Sequence, residues 1–445
     1  MENKQYIVTI EVCSSKIVGV LAEKDPGGNV SVAALEAVEL SPGCVRRGFV
    51  QNVEEAKSQV AKVIKTLETR IAPATIQSVY VGVAGRSLHN VPVEKTLQLD
   101  GNQLISEAMI NNLSLQCREA DVDGEILHVE PRIYVLDGNQ ETQNPIGCVS
   151  SRITAKMNLI VAKHSLKTNL QGTVEPILNV KGYIVTPLAV ADKILKHDER
   201  QLGCMLLDFG AETTTVSIYK NGALQYLATL PMGSRLITLD ITKMSVVETK
   251  AEDLKRTVGN AIELDVKSEQ IIDGVRVNDV SNYVLARIGE IGANIAAQLG
   301  YAGMTEEEIA AGGVTIIGAG SFLNGFDAFV QKTLKLKAAK GQHCPFVNLL
   351  APEAGNFAYI QSVALAATAA ELIPNGESCV LTPKEDPVEE PDDDKPEKPD
   401  EPKKPGKLAR MMSKLRDKAA IVFDGDDNDN DNYSDDDEEE ISTKY

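Results

Sequence analysis

The residue types best suited to chemistry occur at 208–215, which read Asp-Phe-Gly-Ala-Glu-Thr-Thr-Thr. An apolar run at 205–207 precedes them and an alternating stretch at 216–219 follows, so the pattern predicts two strands joined by a tight turn. Asp208 would stand at the end of the first strand. A carboxylate placed there can hold Mg²⁺, usually through water, while the N–H groups of the turn face a phosphate. An ordinary hairpin with an acidic edge would give the same local pattern.

Two further segments repeat this kind of chemistry at long intervals. Near the N-terminus, a predicted strand at 6–10 runs into Glu11 and a small hydroxyl turn that ends at Lys16. Later, a predicted strand at 314–317 leads into Gly-Ala-Gly-Ser at 318–321 and then a helix. A glycine turn before a helix N-terminus lets a ligand approach the backbone closely. Together the three segments resemble the two phosphate loops and the adenosine loop of the actin-like ATPases.

The order of the other elements resembles the FtsA family of bacterial cell-division proteins over roughly residues 5–370. Segments 187–191 and 357–365 look like the two connecting helices of that family, and 251–255 looks like its Glu/Lys helix beside the adenine. The resemblance implies an α/β, actin-like (ribonuclease H-like) two-domain ATPase fold. It also implies an inserted subdomain of the 1C type, in place of the insertion found in actin, and a disordered C-terminal tail.

Composition and resemblance together predict the domain boundaries. We expect domain 1A at 5–83 and 164–199, completed by about 345–370; the 1C-like insertion at 84–163; domain 2A at 200–240 and 300–344; domain 2B at 241–299; a Pro/acidic linker at 371–406; an amphipathic helix at 407–423; and an acidic tail at 424–445.

The resemblance implies ATP and Mg²⁺ as ligands, with Glu11 and Asp208 positioning the metal or a water. Glu252 and Lys255 would flank the ribose and adenine, and no catalytic residue is assigned with certainty. The full set of implied nucleotide-binding residues is Ser14, Ser15, Lys16, Asp208, Gly210, Ala211, Glu212, Thr213, Thr214, Gly233, Glu252, Lys255, Gly318, Ala319, Gly320 and Ser321.

Both phosphate loops depart from the family pattern. The first usually reads Asp-Ile-Gly-Thr, whereas residues 11–14 read Glu-Val-Cys-Ser; in the second, Ala211 and Glu212 replace glycines and Thr215 replaces an Asp. A carboxylate 4 Å from a phosphate charge is repulsive by roughly 4 kcal/mol at an effective dielectric of about 20. Glu212 would therefore either help to hold Mg²⁺ or point away. These departures predict a weak ATPase at most.

The charge is unevenly distributed along the chain. The net charge is −19, and residues 371–445 alone hold 24 acidic and 11 basic residues, a net of −13. No basic face stands out in the remainder, which argues against binding to nucleic acid.

The seven cysteines are scattered singly, so no zinc site or disulfide framework is predicted. The first residues contain no apolar signal segment, so we expect a cytoplasmic body.

Past residue 372 the composition changes abruptly. Eight prolines fall between 374 and 405 among charged residues, which is typical of an extended tether. The segment 407–423 then shows helical periodicity with one apolar face and one basic face, as in a helix that lies on a membrane surface. Its proposed membrane residues are Leu408, Met411, Met412, Leu415, Val422 and Phe423 on the apolar side, and Lys407, Arg410, Lys414 and Lys418 on the basic side. Docking on its own domain or in a partner's groove are the alternatives.

The resemblance implies a peripheral protein on the cytoplasmic side of the cell membrane, at the division site. It further implies self-assembly into a filament, an anionic membrane surface as a partner, recruitment of the tubulin-like FtsZ through about 240–290, and recruitment of downstream division proteins through 84–163. Two alternatives stay open: a nucleotide-free scaffold of the same fold, and a pilus-assembly adaptor of that fold.

Overall fold

The computed structural model describes residues 4–263, 270–272 and 274–382. The strands of this part of the chain are β1 (Gln5–Val12), β2 (Lys16–Lys24), β3 (Val30–Glu39), β4 (Val45–Arg46), β5 (Phe49–Val50), β6 (Thr75–Ile76), β7 (Ser78–Val83), β8 (His89–Leu104), β9 (Glu125–Leu136), β10 (Gln140–Thr142), β11 (Val149–Ala162), β12 (Asn179–Val185), β13 (Cys204–Phe209), β14 (Thr214–Lys220), β15 (Ala223–Leu230), β16 (Ile271–Ile272), β17 (Val275–Arg276), β18 (Gly313–Ile317), β19 (Ala338–Lys340), β20 (Val347–Leu349) and β21 (Val380–Leu381).

The helices alternate with these strands, as expected of an α/β protein. They are α1 (Val53–Thr69), α2 (Glu107–Arg118), α3 (His164–Val174), α4 (Thr186–Ile194), α5 (His197–Leu202), α6 (Arg235–Ile241), α7 (Glu248–Thr257), α8 (Val277–Tyr301), α9 (Glu306–Ile309), α10 (Phe326–Leu334) and α11 (Ile360–Leu372). Short 3₁₀ turns occur at Ala319–Phe322 and Phe357–Tyr359, among others. Within the described residues, no helix has both the length and the apolar character needed to cross a membrane.

A six-stranded sheet forms the first half of the molecule, in the order β12-β7-β1-β2-β3-β20. Strand β1 pairs antiparallel with β2 and parallel with β7. Six consecutive residues of β1 are buried, as are all six residues of β7, because helices cover both faces of the sheet. Helix α1 begins where the Asn52 side chain accepts a hydrogen bond from Glu55 N, and it packs Val60, Val63 and Leu67 into this core.

The second half is built on β15-β14-β13-β18-β19, which belong to a nine-stranded sheet continued by β10-β9-β11-β8. Strands β8 and β15 join through one pair, His89 and Ala228. The insertion has its own core around Ile153, Ala155 and Leu159. The sequence pattern predicts two strands in the insertion, at 126–129 and 132–136, which the structure joins in one continuous strand, β9. It predicts no strand at β8, whose side chains are all exposed or half-buried.

Helix α8 forms the core of the segment after α7. The spacing of apolar residues at 282–299 predicts a helix with one buried stripe, and this is confirmed, because Val284, Ile288, Ile291 and Ile295 are buried. The helix begins five residues before the predicted start at 282. The two connecting helices, α4 and α11, pack against each other between the halves. Segments 264–269 and 383–445 lie outside the described residues, including the predicted linker, amphipathic helix and acidic tail.

Candidate functional site

The three chemical segments meet in one cleft between the halves. The turn between β1 and β2, the turn between β13 and β14, and the turn after β18 all contribute to its walls, and the N-termini of α4 and α11 close it. Its lining residues are Glu11, Val12, Cys13, Ser14, Ser15, Lys16, Gly48, Gly82, Ala84, Gly85, Thr186, Pro187, Asp208, Gly210, Ala211, Thr213, Gly318, Ala319, Ala358, Gln361 and Ser362.

Two carboxylates, Glu11 and Asp208, line this cleft. Burial, followed by the charge of Glu11, raises the pKa of Asp208 to about 7. Burial also raises the pKa of Glu11, against the opposing effects of a hydrogen bond from Ser362 and the charge of Lys16. Asp208 Oδ2 accepts a hydrogen bond from Gln361, whereas Oδ1 is buried without a partner in the described residues. A buried orphan oxygen beside a second carboxylate is costly unless a cation occupies the space between them.

The first loop places its hydroxyl and amine groups at the cleft. Ser14 Oγ accepts a hydrogen bond from Gly48 N at 3.1 Å. The Lys16 ammonium lies 4.1 Å from the centre of the Tyr359 ring and donates to Ala358 O at 3.4 Å. Burial raises the pKa of Cys13 well above its usual range, and the neighbouring Glu11 adds to the shift. Cys13 is therefore a neutral thiol in the wall of the cleft.

The second loop is closed by a hydrogen bond from Gly210 N to Thr213 O at 2.9 Å. Gly210 and Ala211 line the cleft, but the Glu212 side chain turns away from it. Glu212 Oε1 accepts from Arg235 at 3.0 Å and Oε2 accepts from Arg47 N at 2.7 Å. Of the two alternatives for Glu212, the structure therefore shows the one in which it points away from Asp208.

The glycine turn after β18 comes close to the second loop. Gly318 has φ of 88°, and a Cβ there would collide with Asp208 Oδ1 and Phe209 O. A Cβ at Gly320 would meet Phe209 O and Gly210 O. Ser321 is buried, and its hydroxyl donates to Gly318 O at 2.7 Å. Glycine is required here because the backbone of one loop packs directly on the other.

Glu252 and Lys255 form an ion pair on α7, with Lys255 Nζ 2.6 Å from Glu252 Oε2. Burial lowers the pKa of Lys255, and the adjacent carboxylate opposes this shift. Thr238 on α6 donates to the same carboxylate at 2.6 Å and accepts from Lys255 at 3.0 Å. The pair thus ties α7 to α6, and neither side chain belongs to the lining of the cleft.

The structure brings together ten of the predicted residues around the cleft: Glu11, Ser14, Ser15, Lys16, Asp208, Gly210, Ala211, Thr213, Gly318 and Ala319. The other predicted residues, which do not line it, are Glu212, Thr214, Gly233, Glu252, Lys255, Gly320 and Ser321. Thr214 is buried and donates to Met232 O at 2.7 Å, and Gly233 packs on the Ala211 backbone. Gln361, Ser362 and Thr186 were missed, since they carry no motif.

A second cavity opens on the other side of Glu212. It is lined by Pro42, Gly43, Arg46, Arg47, Glu212, Pro231, Arg235, Leu236 and Leu239. The two cavities are thus separated by the turn of the second loop, whose Glu212 side chain faces the arginines.

The two sheets and the cleft between them define the fold of an actin-like ATPase with an inserted subdomain, and the comparisons with known proteins agree with this class of protein. The PilM–PilN type IV pilus biogenesis complex is structurally similar, with a TM-score of 0.57 and 14% identity over 82% of this chain and 98% of that chain. The predicted actin-like fold with a 1C-type insertion is confirmed, because residues 85–161 match the model of the "SHS2 domain inserted in FTSA".

Residues 205–393 match the model of the "Cell division protein FtsA" family. The FtsA of Porphyromonas gingivalis is 33% identical over 350 residues, which span 75% of this chain and 71% of that relative. The FtsA of Neisseria meningitidis serogroup B is 24% identical over 356 residues, or 77% and 85% of the two chains. The chain therefore belongs to the FtsA family of cell-division proteins, as its motif order predicted.

Proposed function

We propose that this cell-division protein binds ATP with Mg²⁺ in the cleft and that the nucleotide controls its assembly into a filament. The observation that carries the proposal is the buried, unpartnered Oδ1 of Asp208 beside the carboxylate of Glu11. The charge of Glu11 adds to burial in raising the pKa of Asp208, so the two carboxylates lie close enough together to provide half of a cation site. Phosphate oxygens and water would complete it.

The residues present fit magnesium. Within the described residues, no group of three or more His, Cys, Asp and Glu side chains is arranged to hold a metal on its own. Mg²⁺ in nucleotide sites usually needs only one or two carboxylates, together with phosphate oxygens and waters. Asp208 and Glu11 would hold it, and its charge would offset that of the phosphates.

The chain's own groups have distinct roles in this proposal. The turn at Ser14 and Ser15 and the turn at Gly210–Thr213 would present N–H and hydroxyl groups to the phosphates. Lys16, already at the cleft wall, would add a positive charge. Gln361 and Ser362, at the start of α11, each donate to one oxygen of a carboxylate, which would leave the other oxygen for the cation.

Membrane and partner roles extend the proposal. The segment 407–423 would attach the chain to an anionic membrane surface at the cytoplasmic side of the division site. The segment at about 240–290 would bind FtsZ, and the insertion at 84–163 would recruit later division proteins. Support for these roles comes from family membership and from the sequence pattern of the C-terminal segment.

The direct test is calorimetry of ATP binding to the full chain with and without Mg²⁺. The strand β21 pairs with β6 and Cys379 is buried, so truncation after Ile373 would remove part of the fold. We expect micromolar affinity that depends on Mg²⁺ and is lost in Asp208→Asn. The matched control is Asp253→Asn, which changes an exposed carboxylate on α7. Binding that is indifferent to Mg²⁺ and to Asp208 would contradict the proposal.

A nucleotide-free scaffold is the second candidate, and one observation favours it. Gln361 and Ser362 already occupy one oxygen of each carboxylate, and the Cys13 side chain stands where the family usually has glycine. Absence of binding at millimolar ATP would support this candidate. A scaffold would still assemble and bind membranes without nucleotide.

A further inference from the structure

The turn between β4 and β5 belongs to the first half, yet it contacts both phosphate loops. Arg47 and Gly48 have φ of 53° and 80°, so both adopt the left-handed region that a tight hairpin requires. Gly48 N donates to Ser14 Oγ in the first loop at 3.1 Å. Arg47 O accepts from Arg86 N, where the insertion begins, at 3.0 Å. Arg47 N donates to Glu212 in the second loop at 2.7 Å.

The second loop is held on its other side by its own half. Gly210 O accepts from Ser234 N at 3.0 Å, and Ala211 O accepts from Arg235 N at 2.8 Å. The Arg235 guanidinium pairs with Glu212 at 3.0 Å and with Glu248 at 2.8 Å. These contacts fix the loop to the start of α6. Without Glu212, they would leave it unconnected to the Arg47–Gly48 turn.

Glu212 therefore has one partner in each half, and its side chain is only 11% exposed. A carboxylate that accepts a short hydrogen bond from a backbone amide makes a charge-assisted contact, which is stronger than a neutral one. Arg235 neutralises the charge that would otherwise repel a phosphate. A glycine at position 212 could form neither contact, since it has no side chain to reach Arg47.

From these contacts we infer that Glu212 is a positioning residue for the nucleotide site. It ties the second phosphate loop to the Arg47–Gly48 turn and so holds the two halves in the arrangement in which both loops face the phosphates. This inference rests on the proposed binding of ATP in the cleft. The competing view is that Glu212 is a lost glycine that obstructs the phosphates.

The two views predict opposite effects of Glu212→Gly on affinity for ATP–Mg²⁺. If Glu212 positions the loop, its removal weakens the affinity about tenfold, the effect of losing one charge-assisted hydrogen bond. Glu212→Gln keeps an oxygen that accepts from Arg47 N and restores most of the affinity. If Glu212 obstructs the site, Glu212→Gly tightens binding, and that result would overturn the inference. Calorimetry on the full chain distinguishes the two.

Hydrogen–deuterium exchange of residues 44–50 without nucleotide tests the contact itself. We expect the Arg47 amide to exchange about tenfold faster in Glu212→Gly than in the wild type. Arg47→Gly is the matched control, because it removes the guanidinium but keeps the donating N–H and suits the positive φ. It should leave protection of that amide in place.

Calorimetry and hydrogen–deuterium exchange together distinguish a failure of the inference about Glu212 from a failure of the proposed ATP binding. Unchanged exchange in Glu212→Gly would overturn the inference, whatever the protein binds. A wild-type chain that fails to bind ATP would refute the proposed function, and the exchange result would still decide whether Glu212 joins the halves. Thermal unfolding of each variant shows that it is folded before either comparison is made.

Discussion

Asp208 combines a functional position with an unfavourable environment. Its Oδ1 is buried without a partner in the described part of the chain, and the charge of Glu11 lies close enough to help raise its pKa to about 7. Such a carboxylate costs stability in the ligand-free protein, and binding of the proposed cation would recover that cost. Residues of this kind trade stability for function.

Asp208→Asn should therefore stabilise the ligand-free protein by about 1 kcal/mol while removing the extra stability conferred by ATP–Mg²⁺. The amide carries no charge to repel Glu11 and can still accept from Gln361. Thermal unfolding with and without ATP–Mg²⁺ measures both effects. A variant that is less stable than the wild type without ligand would show that the carboxylate is satisfied as it stands.

The Lys255–Glu252 pair can be tested independently of nucleotide. Burial alone would raise the pKa of Glu252, but Lys255, Thr238 and Arg256 lower it overall. Lys255→Ala leaves this carboxylate without its nearest cation and should destabilise the protein by about 2 kcal/mol, less than for a fully buried pair because Glu252 is 30% exposed. Urea denaturation should show a smaller loss in the double variant Lys255→Ala, Glu252→Ala. Equal losses in both would contradict the expectation that an unpaired Glu252 carboxylate is costly.

At the scale of elements, helix α8 offers a matched pair of glycines. A Cβ at Gly292 would collide with the Phe329 ring of α10, whereas a Cβ at Gly289 meets nothing within 4 Å. Gly292→Ala should cost about 1–3 kcal/mol of stability through overpacking. Gly289→Ala should instead gain about 0.5–1 kcal/mol from helix propensity. Denaturation curves with the same sign for both variants would contradict the close packing of α8 on α10.

The loops were predictable because turn chemistry is local. Glu11 and Asp208 lie in the last two residues of β1 and β13, and Gly318 directly follows β18, so each is a neighbour of its turn in the sequence. The contacts that complete the site are not local, since Ser362 bonds Glu11 across 351 positions and Arg47 bonds Glu212 across 165. The periodic pattern of apolar residues in a sequence cannot reveal such long-range contacts.

The missed strand β8 has a related explanation. Its alternating apolar residues are only half-buried against the core of the insertion, and Pro92 and Lys95 interrupt the alternation that identifies a strand. Its place is set by pairing with β11 over nearly its whole length. The insertion was recognised from its position between Gly85 and Lys163, whereas its joining to the sheet of the second half depends on tertiary structure.

At the scale of the whole molecule, two polar contacts among the residues that the structure describes connect the halves beside the proposed site. Asp208 bonds Gln361 of α11, and Glu212 bonds the Arg47–Gly48 turn. A ligand that rearranged Asp208 or the second loop would therefore act on contacts between the halves. This is the physical route by which nucleotide would control assembly.

The uneven charge of the C-terminal residues should affect the affinity of the chain for membranes. Residues 424–445 hold 11 acidic residues and one Lys, directly after the basic segment 407–423. Removing them should increase binding of the chain to anionic vesicles about tenfold at low salt, because the tail is repelled by the lipid surface or competes for the basic residues. The gain should shrink as salt rises, since the Debye length falls from about 10 Å at 0.1 M to about 3 Å at 1 M.

Vesicle flotation of the full chain and of the chain ending at Phe423 measures this effect. Neutral vesicles are the control, on which the two chains should bind alike, and Leu415→Asp should abolish binding to both kinds of vesicle because it places a charge on the apolar face. Equal affinity of the two chains for anionic vesicles at low salt would show that the tail has no electrostatic influence. Undiminished binding of Leu415→Asp would show that this segment is not the membrane anchor, and the alternatives of docking on its own domain or in a partner's groove would then replace it.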